Sequence, residues 1–371
     1  MRVTIVGGGI VGTAHAYEAV RRGHQVIHIE REREARGATV RNFGLVWVSG
    51  RTELELDATL RSRELWERIG AEVPGVGFRP AGSLTLLRSG AEVAVAEEAV
   101  ARPDAERRGF TLLEPDEARR VNPALQGKFV AALHCSTDAA VESRVALPAI
   151  RAHLAATGRY TFESGTEARS VEGTTVRDDR GGVHHGDLVL LCAGAAHGGL
   201  VREIAGELPV RRVRLQMMQT APWEHQLTTA IADGDSFRYY PGFAGSALDQ
   251  LQRSESQQEV AENHRMQLLC VQRLDGGLTI GDTHEYAEPF GFDVQEDPYA
   301  YLVNVVEEFL GQPLPPVHRR WAGVYSQSVD PTALVCRVNP AEGVWVITGP
   351  GGRGMTLGPV VGEQTADLIG L

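Results

Sequence analysis

Apolar positions alternate between two periods along this chain. Val3, Ile5 and Val6 form a short β-branched run, and a glycine-rich turn follows at Gly7–Gly12. Residues Ala14, Ala16, Tyr17, Ala19 and Val20 then recur at helical spacing up to Gly23, a stop signal, and "QVIHIE" (25–30) reads as a second strand. A charged link and a small-residue stretch lead to helical periodicity over 52–70. Strand-like 82–89 precedes helical pieces at 91–109 and 115–123, a strand within 127–143, and a helix over 144–158. Strands are predicted at 160–164, 170–179 and 184–195. In the last of these, "DLVLLCAGA" runs as a buried strand into a small-residue turn suited to close backbone approach.

From Val213 the texture changes. "VRLQMMQTAP" (213–222), "SFRYYPGF" (236–243) and 266–286 have the character of strands in an antiparallel sheet. A helix is predicted over 299–311. The closing segment, 343–371, reads as a strand, a glycine loop and a terminal helix that return to the first part of the fold. There is no internal repeat, no low-complexity segment and no long linker, so the domains are interleaved. The fold class is α/β, α+β overall. A Rossmann-type domain is expected from 1–80, 141–212 and 321–371, and a second domain on a mostly antiparallel sheet from 81–140 and 213–320.

The glycine turn carries the first chemistry. Gly7, Gly9 and Gly12 spell GxGxxG between a strand and a helix, and Glu30 ends the next strand eighteen residues past Gly12. The first glycine permits the turn, the second lets backbone approach a pyrophosphate, and the third lets helix pack on strand. An anion would sit on the helix N-terminus. An acid at position 30 suits an unphosphorylated adenosine ribose, which leaves NAD and FAD as alternatives.

Composition narrows the function classes. The 371 residues suffice for two domains or one with a large insertion. The net charge of −11 argues against a nucleic-acid surface. No apolar run reaches the ~18 residues of a membrane span, and a first strand beginning by Val3 leaves no room for a leader, so a cytoplasmic location is expected. Cys135, Cys192, Cys270 and Cys336 lie far apart without metal-ligand spacing and read as buried free thiols, with no metal site. Lys128 is the only lysine, in a turn-like context, so lysine Schiff-base chemistry is not expected.

With these motifs in place, the chain resembles, over nearly its whole length, the D-amino-acid oxidase, glycine oxidase and sarcosine oxidase superfamily of FAD-dependent amine oxidoreductases. The resemblance rests on GxGxxG, Glu30, "GATVRNFG" (37–44), "GDLVLLCAGA" (186–195) and "GPGGRGMTLGP" (349–359). It implies FAD as cofactor, with Gly7, Gly9, Ile10, Val11, Gly12, Glu30, Arg31, Ala168, Ala193 and Gly194 around its ADP half. Ala38, Thr39, Asn42, Phe43 and Gly44 would pass beside the flavin, and Gly352, Arg353, Gly354, Met355 and Thr356 would meet its pyrimidine end. "RNFGLVWVSGR", "VRLQMMQT" and "GGRGMTLGP" also resemble a bacterial subgroup associated with organophosphonate breakdown.

Two departures from the superfamily pattern alter the expectation. Gly323 and Val324 precede Tyr325 where sarcosine oxidases carry a flavin-linking cysteine, so the flavin is expected to be non-covalent. Thr279, in "LTIG", stands where they carry an oxygen-assisting lysine, which leaves oxygen and another electron acceptor as alternatives.

The implied reaction is dehydrogenation of a small amine to an imine that hydrolyses. The favoured substrate is an aminophosphonate or its N-methyl form, and the alternative is glycine or sarcosine. An NAD-dependent dehydrogenase and a non-catalytic flavin-binding protein are the rivals of other classes. Tyr240, His284 and Arg353 are the catalytic candidates, with Arg353 stabilising anionic reduced flavin. Arg41, Trp47, Gln216, Arg238, Tyr240 and His284 are the candidates for substrate binding, with Arg238 and Tyr240 on one face of a strand opposite Tyr239. Each could instead be a packing or structural residue. The sequence leaves the oligomeric state open.

Overall fold

The computed structural model describes residues 1–371, and its architecture is two large sheets that share one long cavity, with a three-stranded and a two-stranded sheet beside them. The first strand β1 (Arg2–Val6), helix α1 (Ile10–Arg21) and strand β2 (Gln25–Glu30) open a six-stranded sheet in which β1 and β2 run parallel. Its order is 336–341, 344–348, 188–191, β1, β2, 160–164, and all neighbours are parallel except the edge hairpin 336–341/344–348. Val3, Thr4 and Ile5 are fully buried, as expected of a central parallel strand covered on both faces.

Two of the motif glycines are demanded by the chain itself. A Cβ at Gly12 would overlap the Gly7 carbonyl oxygen, and one at Gly7, where φ is +107°, would overlap the Cys192 carbonyl. The turn is therefore wedged between α1 and the strand Leu188–Leu191. Beneath it lies His28. Its Nε2–H donates to the Gly7 carbonyl at 3.0 Å, and its Nδ1 accepts from the Tyr160 hydroxyl at 2.8 Å.

Burial holds His28 down to about pKa 3 and neighbouring His15 down to about 4, against an ordinary 6.5. Both rings are neutral in the folded chain and charged in the unfolded chain once pH drops below about 6.5. Stability is then greatest above pH 6.5 and declines as pH falls toward 4 and 3. Urea unfolding at pH 7 and pH 5 should show this loss, and His15→Gln should reduce it, leaving the share of His28. An equal unfolding free energy at the two pH values would contradict the assignment.

The second sheet has eight strands in the order 317–328, 210–222, 277–281, 269–272, 230–233, 83–87, 131–135, 110–113. Neighbours are antiparallel except 230–233 with 83–87. One face packs on the helix Asp297–Leu310, whose Tyr299, Leu302, Val306 and Phe309 are fully buried. The opposite face supplies the inner wall of the cavity through Leu215, Met217 and Leu269. Helix α2 (Glu53–Glu72) starts with a capping box between Thr52 and Glu55 and anchors the terminal helix Gly354–Ile369 through Trp66 Nε1, which donates to the Met355 carbonyl at 2.7 Å.

One predicted strand is absent. "SFRYYPGF" is a short helix, Asp235–Tyr239, followed by a 3-10 turn at Pro241–Phe243. Phe237 N–H bonds to the Gly234 carbonyl and Tyr240 N–H to the Ser236 carbonyl, which puts Phe237 and Tyr240 three apart on a buried face. The aromatic run follows helical spacing, and the two-residue alternation that placed Arg238 beside Tyr240 does not apply. No helix of the chain is long and apolar enough to cross a membrane.

Candidate active site

A cavity of about 1140 Å³ runs from the glycine turn to the inner face of the eight-stranded sheet. It exceeds the ~300–1,000 Å³ of ordinary small-molecule sites, leaving room for a dinucleotide and a second small ligand. Gly7, Gly9, Ile10, Val11, Glu30, Arg31, Ala38, Thr39, Ala168, Ala193 and Gly194 line its outer arm. Asn42, Phe43, Gly352, Arg353, Gly354, Met355 and Thr356 line its middle, and Arg41, Trp47, Tyr240 and His284 also border it. Gly12, Gly44, Gln216 and Arg238 do not. Gly12 and Gly44 instead lie against the carbonyls of Gly7 and Val141, and Gln216 accepts from Gln295 N–H at 2.7 Å.

Gly9 tests whether the outer arm suits FAD. Its φ of −75° and ψ of −175° are open to any residue, and a Cβ there would meet only Thr39 Oγ1, at 3.4 Å. The chain does not need glycine at this point, so its absent side chain leaves space for something else. That space lies over the first turn of α1, where Thr39 Oγ1 takes the Ile10 N–H at 3.0 Å, Thr13 N–H bonds the Gly9 carbonyl, and the Val11 and Gly12 N–H groups are left for an anion. Glu30 accepts Gly8 N–H at 2.6 Å and Glu32 N–H at 2.8 Å, and each oxygen keeps a lone pair for a ribose hydroxyl. These residues fit the ADP half of FAD.

Two arginine assignments change. Arg238 donates to the Glu255 carbonyl at 2.8 Å and lies 3.4 Å from Asp235, turned out of the cavity by its place on the short helix. Arg353 borders the cavity, but its guanidinium is ion-paired with Glu55 and bonds the carbonyls of Pro350 and Ala333, each at 3.0 Å. It clamps the glycine loop to α2, and Glu55 cancels its charge. Arg41 is exposed at the rim, where it donates to the Ala322 carbonyl at 2.7 Å.

The inner end is an aromatic chamber. Tyr239 and His284 stack at 4.2 Å between centroids, Tyr239 meets Tyr240 edge-on at 5.1 Å, and Trp47 tilts against Tyr240 at 6.2 Å. His284 Nδ1–H donates to the Arg265 carbonyl at 3.0 Å. Burial pushes the Tyr240 phenol up, so it stays protonated.

Three further chamber residues escaped the sequence reading: Arg51, Gln267 and Asp282. Arg51 is 7% exposed, with its guanidinium carbon 5.3 Å from the Tyr240 ring centroid. Its Nε bonds the Trp47 carbonyl at 3.2 Å, and its terminal nitrogens have no acceptor in the chain. Gln267 Nε2 donates to the Tyr240 hydroxyl at 3.1 Å. The legible signal was an ionisable residue directly after a buried apolar stretch, "LVWVSGR" and "LTIGD".

The four cysteines are all buried and unpaired, and Cys192, which borders the cavity, has its thiol driven far up by burial. None is placed at Gly323 or Val324. Acid precipitation of the holoprotein should therefore release all of its yellow colour, and colour kept in the pellet would mean a covalent link.

Comparison with known proteins identifies the family. The "FAD dependent oxidoreductase" family model matches residues 2–368. The chain is 26% identical to a glycine oxidase of Pseudomonas aeruginosa, over 99% of this chain and 94% of that one. It superposes on the glycine oxidase of Geobacillus kaustophilus with a TM-score of 0.78 at 19% identity, covering 100% of this chain and 95% of that one. An iminodiacetate oxidase from Chelativorans sp. BNC1 gives 0.77, also at 19% identity and with the same coverage of both chains. A glycine turn with space for a pyrophosphate, an acid for the ribose and a matching family model over almost every residue have one reading: this chain belongs to the FAD-dependent oxidoreductase family of D-amino-acid oxidase type.

Proposed function

We propose that the protein oxidises a small amine bearing a compact anionic group, with an aminophosphonate or its N-methyl form as the favoured substrate. The observation that carries this is Arg51, a buried guanidinium at the chamber wall whose terminal nitrogens bond no group of the chain and which shares the single carboxylate of Glu55 with Arg353. Two buried guanidinium groups against one carboxylate leave a local excess of positive charge, so a ligand anion is its natural complement. Trp47 Nε1–H is also buried without an acceptor, and the Trp47 carbonyl holds Arg51 Nε. A guanidinium fork takes two oxygens of a carboxylate or of a phosphonate, and a further donor, the Trp47 indole N–H, would suit the third oxygen that only the phosphonate has.

FAD, when bound, accepts the hydride from the carbon next to the amine nitrogen. The chain's residues bind and orient the substrate, and the aromatic walls keep water from it. In this reading, residues 1–80, 141–212 and 321–371 hold the cofactor, and 81–140 and 213–320 supply most of the substrate chamber. Comparing kcat/KM for 2-aminoethylphosphonate and its N-methyl form with glycine and sarcosine tests the substrate class. A preference of at least about tenfold for the phosphonates is expected. The reverse order would favour a small amino acid, the reading that the glycine oxidase relative supports.

The electron acceptor follows from Thr279. It is fully buried, and its Oγ1 accepts from Arg273 Nε at 2.7 Å, while the remaining Arg273 donors bond the Asn42 and Phe43 carbonyls, Glu142 and Ser143. No mobile ammonium group is left there to assist oxygen. Stopped-flow reoxidation by oxygen is expected to be slower than reduction by substrate, with an artificial acceptor raising turnover. Oxygen reoxidation as fast as reduction would remove this expectation.

A further inference from the structure

A second group of ligating side chains lies apart from the cavity, where the three-stranded sheet of Ala168–Glu172, Thr175–Asp178 and Val183–His185 packs on the edge of the six-stranded sheet. Val176 of the small sheet is buried in one apolar cluster with Ile29 and Val189 of the large one. The register sets His184 opposite Val176, and strand alternation puts Asp178 on the same inward face. Tyr160 and Phe162 stack on one face of the edge strand Tyr160–Ser164, so Glu163 points from its other face toward the small sheet. The three side chains meet at the seam.

His184 Nε2 lies 2.8 Å from Asp178 Oδ2 and 3.8 Å from Glu163 Oε2, and the three ligand atoms all fall within 4.8 Å of one another. The Asp178 and His184 side chains are 4% and 9% exposed, while Glu163, at 35%, opens the group to solvent. Asp178 is held in place by its own turn: Oδ1 accepts the Arg180 and Gly182 N–H groups at 2.8 and 2.7 Å, which leaves Oδ2 facing His184. Glu163 is beyond hydrogen-bond range of the ring, and neither acid is ion-paired with an arginine. Two carboxylates thus face one imidazole, a local excess of negative charge that a cation would balance.

We propose that Glu163, Asp178 and His184 bind one divalent transition-metal ion of the zinc type, which pins the three-stranded sheet to the edge of the six-stranded one. An imidazole beside two carboxylates suits Zn2+, whereas Mg2+ and Ca2+ take oxygen ligands. Ligand atoms on a tetrahedral zinc ion, with bonds of about 2.0–2.1 Å, are about 3.3 Å apart. The observed 2.8 and 3.8 Å bracket that spacing. Binding replaces the Asp178–His184 hydrogen bond: the ring keeps its proton on Nδ1 and offers the Nε2 lone pair, and water completes the shell from the Glu163 side. None of the three residues borders the cavity, so the ion is structural and the proposal is independent of the amine chemistry. It acts next to the cofactor arm all the same, because Thr166 N–H bonds the Glu30 carbonyl at 3.0 Å and Thr166 and Ala168 line the cavity. No sequence spacing reports the set, since its members come from three strands and meet only when the sheets pack.

The test is titration of Zn2+ alone into the full-length holoprotein, stripped with a chelator and then freed of it, with a chromophoric chelator as competitor and Mg2+ in parallel. One Zn2+ per chain should bind and raise the melting temperature, and Mg2+ at about a hundredfold higher concentration should do neither. Glu163→Gln and His184→Gln should each weaken zinc binding by at least about tenfold and remove most of the thermal shift. His185→Gln, on the opposite face of its strand, should leave the affinity within about twofold. A plain Asp178–His184 hydrogen bond makes no use of Glu163. Absence of a stoichiometric zinc site, or a site that survives Glu163→Gln or is lost with His185 instead, would overturn the proposal. Glu163 is partly exposed, so its variant keeps the test decisive even if His184→Gln does not fold.

Discussion

Gly9→Val should purify as a folded, colourless protein. The valine backbone is at ease at φ −75°, and its Cβ meets only Thr39 Oγ1 at 3.4 Å, so nothing in the chain opposes it. Its two methyl groups enter the space above the first turn of α1 and displace the pyrophosphate. Flavin content should fall by at least about tenfold, and the melting temperature should match that of wild-type apoprotein, since a ligand stabilises only the fold that binds it. Gly12→Val is the contrast. Its side chain would overlap the Gly7 carbonyl, and it should fail to fold. Normal flavin content in Gly9→Val would mean that the turn has been misread.

The second large effect is at Arg51. Arg51→Ala should keep its flavin and lose kcat/KM by at least about thirtyfold, because truncating one partner of a buried ion pair costs about 2–5 kcal/mol. Arg51→Lys should recover only part of this, since a single ammonium cannot supply two parallel donors. Arg238→Ala should stay near wild type, because its guanidinium is turned to the Glu255 carbonyl. Unchanged efficiency in Arg51→Ala would remove the anion anchor and with it the phosphonate reading.

How legible was this protein in its sequence? The outer arm was readable because its requirements are local. Gly7, Gly12 and Glu30 are set by one strand–turn–helix–strand unit, and spacing alone reports it. The chamber was not, because its residues meet only through tertiary packing. Arg51 comes after a strand of two residues, Gln267 and Asp282 meet just beyond the ends of two paired strands, and Tyr240 directly follows a short helix whose aromatic run looks like a strand. Arg353 illustrates a different limit. Its glycine neighbours pointed correctly to the cavity, but the ion pair with Glu55, nearly three hundred residues away, decides what its charge can do. The same distance hid the role of Thr279, whose hydroxyl is held by Arg273 six residues earlier, while Arg273 itself is fixed by carbonyls from 42 and 43.

The central claim is that this chain transfers hydride from a small anionic amine to its FAD, and anaerobic bleaching tests it most directly. The yellow holoprotein, mixed without oxygen with 2-aminoethylphosphonate, its N-methyl form, glycine and sarcosine, should lose its flavin absorbance with at least one of them. Reduction should accelerate with pH, because only the neutral amine can give up hydride. Bleaching is predicted to be fastest with one of the two aminophosphonates. A flavin that stays oxidised with every amine, yet is readily reduced by dithionite, would contradict the account and leave a flavin-binding protein without this chemistry.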